Sequence, residues 1–325
     1  MGRAIRVAET ARFTSAPNPW VGAVVVNGAQ VFEGATEPPG GAHAEVKAIA
    51  AAGDATQGAE LFSTLEPCGH HGRTGPCTEA IIAAGIERVV IGVEDPDPQV
   101  KGQGIERLRA AGIRVDVGIG SGQIKRQLEP YLHQRRTGRP FVVVKLAASL
   151  DGRTAAPDGT SKWITGEVAR ADVHRLRALS DAVLVGAGTI RADNPRLNVR
   201  DFVPPDGVPV ADVQPRRIVL GKVPADARVQ PCTEMAGDLG ELLDQLGREG
   251  VLQLLVEGGP HVAGSFHRAG LVDSYIVYLA PTLFGGDDSL GIFTGKGAAT
   301  TDDVWRGRIV ETLRVGHDLR IEVRP

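Results

Sequence analysis

His43-Ala-Glu45, Pro67-Cys68 and Pro76-Cys77 bring together an imidazole, a carboxylate and two thiols. One imidazole and two thiolates suit a zinc ion that keeps its fourth tetrahedral position for water, and water held there titrates near about pH 7. Glu45 is poorly placed to share the metal with His43, because residues i and i+2 of a helix point to different sides. It is well placed to carry protons to and from the activated water.

The pattern H-x-E followed by P-C-x-x-C is that of zinc-dependent hydrolytic deamination of bases. Here the second half is stretched to Pro67-Cys68-Gly-His-His-Gly-Arg-Thr-Gly-Pro-Cys77. Two cysteines alone would read as small buried hydrophobes in a Gly-rich loop. The upstream His-x-Glu and the proline before each cysteine favour the metal. Cys232, in Gln230-Pro-Cys-Thr, has no ligand-type neighbour.

A fainter set of candidates follows. Lys145 interrupts the apolar run Val142–Ala148, where a lysine either snorkels or points into a site. Glu257-Gly258-Gly259 and Gly186-Ala-Gly188-Thr189 each follow a strand pattern, where backbone N–H groups can cradle a phosphate. Two such loops can lie side by side at one sheet edge. Neither is G-x-G-x-x-G, so the Rossmann fingerprint is absent. Asp151, Asp193 and Arg200 read as turn or surface residues.

The chain has 325 residues, 42% hydrophobic and 23% charged, enough for about two domains with separate cores. Its net charge of −3 argues against a broad nucleic-acid-binding face and favours a small substrate. No long apolar run suggests a membrane span, and Met1-Gly-Arg-Ala-Ile-Arg lacks the apolar stretch of a secretory signal. Three cysteines do not make a disulfide framework. A cytoplasmic protein is expected.

Patterning predicts the elements that must hold these residues. A helix spans Ala4–Ala11, and strands Val21–Val26 and Gln30–Glu33 are joined by an Asn27-Gly28 turn. A helix from His43 to Ala52 puts His43 on its first turn, and a helix Thr78–Ala84 places Cys77 just before its start. Both helix N-termini then favour thiolate over thiol at one point. A single polar helix is expected from Ser121 to about Arg136. The basic, Gly/Pro-punctuated Arg135–Pro140 marks a domain boundary, giving domains 1–138 and 139–325. The second half restarts with strand Phe141–Leu146, and helix Glu167–Leu179 spaces Val168, Ala171, Val173, Leu176 and Leu179 for one buried face. Alternating strands and helices in both halves indicate the α/β class.

Further stretches carry a resemblance. Pro17-Asn-Pro-Trp-Val-Gly22, His43-Ala-Glu-Val46, Thr64 through Cys77 and Asp95-Pro-Asp-Pro98 resemble the deaminase motifs of the bifunctional riboflavin-biosynthesis deaminase/reductase family, including the wide cysteine gap. Lys145 through Arg153, Ser161-Lys-Trp-Ile-Thr165, Gly186 through Arg200 and Glu257-Gly-Gly259 are similar to its reductase motifs. The resemblance covers nearly the whole chain. It implies a cytidine-deaminase-like three-layer α/β/α domain followed by a dihydrofolate-reductase-like α/β domain, Zn2+ and NADPH as cofactors, a phosphorylated pyrimidine as substrate and a homo-oligomer, dimer or tetramer.

By the same resemblance, His43, Cys68 and Cys77 hold zinc, Glu45 moves protons, and Asn18, His70 and Arg73 contact the first substrate, Arg73 as a candidate for its phosphate. NADPH lies against Ala148, Trp163, Thr189, Asp193 and the segment Gly259, Pro260, His261, Val262, Ala263, Gly264 and Ser265. The second substrate meets Ser161, Arg177, Leu197, Arg200 and Glu257, with Lys145 aimed at the ribose. His71 has no counterpart. Arg12-Phe13 and the bulky Trp20 depart from the family near the substrate's expected edge and are expected to alter affinity without removing the zinc chemistry. Two other readings compete. One is a nucleoside or nucleic-acid deaminase with an accessory C-terminal binding domain. The other is a purely structural zinc closed by His70 or His71.

Overall fold

The structure, a computed structural model, describes residues 1–70, 75–98, 100–204 and 208–325. The chain divides into two compact units, Met1–Arg139 and Pro140–Pro325.

The first unit runs α1 (Gly2–Ala11), β1 (Gly22–Asn27), β2 (Gln30–Ala35), α2 (Ala44–Ala52), β3 (Glu60–Leu65), α3 (Cys77–Ala83), β4 (Arg88–Val93), α4 (Gln103–Ala110), β5 (Arg114–Val117), α5 (Ser121–Gln127) and α6 (Glu129–Thr137). Its sheet has the order β2-β1-β3-β4-β5. The first two pairings are antiparallel and the last two parallel.

Neighbouring glycines show how helices cover both faces of this sheet. A Cβ on Gly22 would sit 2.0 Å from the Ala4 carbonyl of α1, and one on Gly34 would sit 2.3 Å from the Ala44 carbonyl of α2. Gly34 pairs with Ala23, so Gly22 and Gly34 face opposite sides of the pleat. The absence of side chains there lets α2 lie close on the sheet, which fixes the depth of His43 and Glu45.

The helix expected over Ser121–Arg136 is two helices. Leu128 separates α5 from α6, and Pro130, in the first turn of α6, has no N–H with which to continue a helix through this point.

The second unit contains β6 (Phe141–Ser149), β7 (Arg153–Ala155), α7 (Glu167–Ala178), β8 (Ala182–Gly186), α8 (Ala187–Asp193), β9 (Arg216–Leu220), β10 (Thr233–Met235), α9 (Leu239–Arg248), β11 (Gln253–Val256), α10 (Pro260–Arg268), β12 (Ser274–Ala280), β13 (Leu290–Gly291), β14 (Arg308–Val315) and β15 (Asp318–Arg324). Eight strands form one sheet, ordered β10-β9-β8-β11-β6-β12-β15-β14. Pairings are parallel from β10 to β12 and antiparallel at β15 and β14. One core, with Leu184, Leu254 and Phe266, packs α9 and α10 on the sheet. The other, with Val183, Leu255 and Leu176, packs α7.

Two local expectations differ from the structure. The buried side of α7 is formed by Ala169, Val173, Leu176 and Ala178, while Val168 is exposed, because the stripe starts one position later. The Gly-rich stretch after β8 is helical, with Gly186 as the N-cap of α8 rather than part of an open loop.

Candidate active sites

In the first unit His43 is the N-cap of α2, in extended backbone (φ −73°, ψ 159°), rather than a residue of its first turn. Cys77 opens α3, and Pro76 before it serves as N-cap. The imidazole Nδ1 lies 3.2 Å from Cys77 Sγ and 3.5 Å from Cys68 Sγ. All three donor atoms fall within 4.8 Å of one another. Tetrahedral zinc with bonds of ordinary length needs donor separations of about 3.6–3.8 Å, so small shifts complete the site. Hydrogen bonding from Cys77 and contact with His43 draw the Cys68 thiol down to about 4, against the cost of burial. Its hydrogen bond to Cys68 and its burial push the Cys77 thiol up. A cation bound between the sulfurs would displace their protons.

Glu45 is 3% exposed, and burial pushes its pKa up. Ser63 Oγ lies 2.9 Å from Glu45 Oε1 and 2.8 Å from the Leu65 carbonyl, with one proton to donate to either. The Glu45 carboxyl is therefore held by a partner that can release it.

Glu66, next to the first cysteine loop, is a residue that motif reading passed over. Its carboxylate accepts backbone N–H groups from Asp95, Gly102, Gly104 and Ile105 at 3.0–3.2 Å. This ties the start of α4 to the segment carrying Cys68. A Cβ on Gly104 would lie 2.0 Å from the Pro67 carbonyl, so only glycine allows the approach. The signal was available in Glu66-Pro-Cys and Gly102-Gln-Gly104, but their meeting spans about forty residues of chain.

Asn18 is half-buried in the turn after α1, its N–H bonded to the Ser15 carbonyl at 2.8 Å. His70 is half-buried and its Nδ1 has no partner among the described residues. Arg73 and His71 lie outside the described residues. Trp20 is buried under the Arg12 guanidinium, 4.7 Å from the ring centroid.

In the second unit a cavity of roughly 1330 Å³ opens where the parallel strands end. Register explains why a lysine interrupts β6. Val256, the last residue of β11, pairs with Val144, so β6 runs past its neighbour and Lys145 stands beside the opening. Its ammonium is 5.9 Å from the Tyr278 ring centroid and has no ion pair among the described residues. Burial lowers its pKa, Glu257 opposes this and Arg177 adds to it.

Arg177 and Glu257 are joined by two hydrogen bonds, Nε to Oε1 at 2.6 Å and Nη2 to Oε2 at 2.8 Å. Arg177 Nη1 also donates to the Asn198 carbonyl at 3.1 Å. Both side chains line the cavity, with much of their hydrogen-bonding capacity spent on each other. Ser161, Trp163, Thr189, Asp193, Leu197, Arg200, Gly259, Pro260, His261, Val262 and Ser265 line it as well. Trp163 is 69% exposed, with the Arg170 guanidinium 4.4 Å from its ring centroid. Leu197 is held at φ +52°, a left-handed conformation uncommon for leucine. The first turn of α8 and the turn after β11 touch, the Gly259 N–H donating to Thr189 Oγ1 at 3.3 Å.

Ala148, Ala263 and Gly264 do not line the cavity. Ala148 is enclosed in β6, Ala263 belongs to the core beneath α10, and a Cβ on Gly264 would sit 2.7 Å from the Thr294 carbonyl.

The family model of the RibD C-terminal domain matches residues 140–321, and that of the cytidine and deoxycytidylate deaminase zinc-binding region matches residues 1–93. The riboflavin biosynthesis protein RibD of Escherichia coli strain K12 is 41% identical, over 98% of this chain and 96% of its own length. The chain belongs to the RibD family. RibD of Acinetobacter baumannii superposes with a TM-score of 0.93 at 34% identity, covering 100% of this chain and 97% of that one. The Thermotoga maritima diaminohydroxyphosphoribosylaminopyrimidine deaminase/5-amino-6-(5-phosphoribosylamino)uracil reductase superposes at 0.87 with 35% identity and the same coverage.

As a RibD the chain is a bifunctional deaminase and reductase of riboflavin biosynthesis that uses zinc and NADPH. Its own residues fit both cofactors. One nitrogen and two sulfurs converge beside a buried carboxylate, and among the described residues no fourth protein ligand joins them, His70 included. The cavity exceeds the space of about 300–1000 Å³ that a single small ligand needs. The RibD reductase match over the second unit sets aside an accessory binding module. Among the described residues no helix is long and apolar enough to cross a membrane.

Proposed function

We propose that residues 1–138 deaminate 2,5-diamino-6-ribosylamino-4(3H)-pyrimidinone 5′-phosphate, and that residues 139–325 reduce the ribosyl chain of the product to give 5-amino-6-ribitylamino-uracil 5′-phosphate. The observation that carries this reading is the pairing of a His/Cys/Cys cluster beside buried Glu45 in one unit with a lysine on a large cavity in the other that has no ion pair among the described residues. The Thermotoga relative, named for these two steps, supports it.

His43, Cys68 and Cys77 hold the metal, which when bound supplies a water acidic enough to attack near neutral pH. Glu45 accepts the proton of the attacking water and delivers it to the ring nitrogen, then takes the second proton from the hydroxyl formed on the attacked carbon and passes it to the departing amine, which leaves as ammonia. A raised pKa suits a carboxyl that must be protonated midway through the cycle, and the Ser63 hydroxyl orients it. Asn18 orients the base through an amide that both donates and accepts. His70 offers to the substrate an Nδ1 that has no partner among the described residues, and Arg73 pairs with the phosphate.

In the second unit NADPH, when bound, supplies the hydride. Ala148, Trp163, Thr189, Asp193 and Gly259 through Ser265 hold it, Ala148, Ala263 and Gly264 by shaping the wall from behind. Ser161, Arg177, Leu197, Arg200 and Glu257 hold the substrate. Lys145 stabilises the negative charge that develops on the ribose oxygen and supplies it with a proton. The enzyme acts in the cytoplasm as a homo-oligomer, without nucleic acid or membrane.

Following ammonia and NADPH separately tests this reading. With the diaminopyrimidinone alone, ammonia appears and the aminouracil accumulates; added NADPH is then consumed mole for mole. Ammonia release without any product-dependent loss of NADPH absorbance contradicts the assignment of the second unit.

A further inference from the structure

Among the described residues, the cavity of the second unit is lined by eight lysines and arginines against two carboxylates, Asp193 and Glu257. This is a local excess of positive charge in a chain of net charge −3. Several of these cations already have partners. Arg177 is paired with Glu257, Lys162 with Asp193 at 3.1 Å, Arg200 with Asp201 at 3.3 Å, and Arg170 donates to the Thr165 carbonyl at 2.7 Å. Lys145 belongs to the reacting end. Arg191, Arg196 and Arg228 also line the cavity, and their guanidiniums have no hydrogen bond or ion pair among the described residues.

Two of the three stand on segments that meet at one place in the fold. Arg191 lies in the last turn of α8, which Asn194 caps. The Asn194 side chain accepts the backbone N–H of Arg228 at 2.8 Å, drawing the segment after β9 against that cap. Arg191 reaches back along its helix, its Nη2 being 4.0 Å from where a Cβ on Gly188 would stand. The neighbouring lining is supplied by Leu220, at the end of β9, with Gly237 and Leu239. This end of the cavity thus combines apolar lining with two arginines that have no partner among the described residues.

Sheet geometry says which part of a ligand reaches this place. With Lys145 at the reacting end, as proposed above, the nicotinamide would sit near β6. The order β9-β8-β11-β6 puts the end of β9 three strand spacings away, about 14 Å. An extended dinucleotide lying along the strand ends would then place its adenosine at β9 and α8. The 2′-phosphate on that adenosine is the only group distinguishing NADPH from NADH. Arginine suits it, because its planar fork can bind phosphate oxygens with two donors at once.

We infer that Arg191 and Arg228 bind the 2′-phosphate of the adenosine and set the preference for NADPH over NADH. This deepens the NADPH-binding role proposed above and rests on it. Leu220, Gly237 and Leu239 accommodate the adenine. Arg196, on the other side of Asn194, is left for the remaining phosphates.

The test measures equilibrium binding of NADPH, NADH, adenosine 2′,5′-bisphosphate and 5′-AMP to the full chain, by nucleotide fluorescence and calorimetry. Arg191→Ala and Arg228→Ala each weaken NADPH and the bisphosphate on the order of tenfold, and together by more, while NADH and 5′-AMP change by less than about twofold. Arg→Lys at either position recovers part of the loss. Ammonia release, which belongs to the other unit, and the thermal midpoint show that each variant is folded. Equal losses for the phosphorylated and unphosphorylated ligands, or no loss for either, overturn the inference while leaving NADPH binding in place. A wild-type chain that binds neither dinucleotide overturns the cofactor reading itself.

Discussion

The site of the first unit is built from residues 43–77, whereas the cavity of the second takes its lining from residues 145–294. The difference follows from what each must hold. A metal ion needs a few atoms of particular elements within a few ångströms, and only histidine, cysteine and carboxylate side chains provide them. A dinucleotide beside a phosphorylated substrate needs length, distributed positive charge and a few oriented donors, which many residue types can provide. The first site is therefore concentrated in a short stretch, and the second is spread over strand ends that meet only when the sheet forms.

Chelation should break this comparison most sharply. Removing zinc abolishes ammonia release and restoring it recovers the rate, while NADPH consumption on supplied aminouracil continues; parallel loss of both activities would show that the sites are not independent. Lys145→Ala should have the mirror effect. It lowers NADPH consumption by about 100-fold, the scale of removing one charge-stabilising donor, and spares ammonia release. A steady-state comparison of the two rates checks it.

A third prediction concerns stability. Arg177→Met leaves Glu257 buried without its partner, at a cost of about 3–5 kcal/mol. A denaturant titration should show this loss in the second unit's transition only. A midpoint unchanged from wild type would mean that the pair contributes little to the fold.

The smallest expected effect is on pH dependence. Burial lowers the Lys145 pKa below the ordinary lysine value of about 10.4, so its ammonium is lost as pH rises through that lowered pKa. The basic limb of the NADPH-consumption profile should fall there, and Lys145→Arg should move it upward. With the folded pKa lowered, the unfolded chain binds more protons through this window, so Lys145 makes stability rise with pH across it. A basic limb at the ordinary lysine pKa would contradict the assigned environment.

The same contrast governs what could be read from sequence. His43, Glu45, Cys68 and Cys77 were legible because type and spacing alone imply metal chemistry. Lys145 was visible only as an oddity in an apolar strand, and the overhang of β6 past β11 that explains it is a matter of register. The Arg177–Glu257 pair, 80 residues apart in sequence, left no local trace. The four amides gathered by Glu66 follow from two visible motifs whose meeting the sequence does not show. The single helix expected from Ser121 is broken at Leu128, ahead of Pro130, which the polar pattern alone does not show, and glycines after β8 concealed a helix that begins there.

That each unit completes its own step is tested most directly with Glu45→Gln. The variant should retain stoichiometric zinc, release no ammonia from the diaminopyrimidinone and consume no NADPH when given that compound. Given the deaminated aminouracil, it should consume NADPH at the wild-type rate. NADPH consumption by Glu45→Gln on the undeaminated compound, or ammonia release at the wild-type rate, would contradict the account.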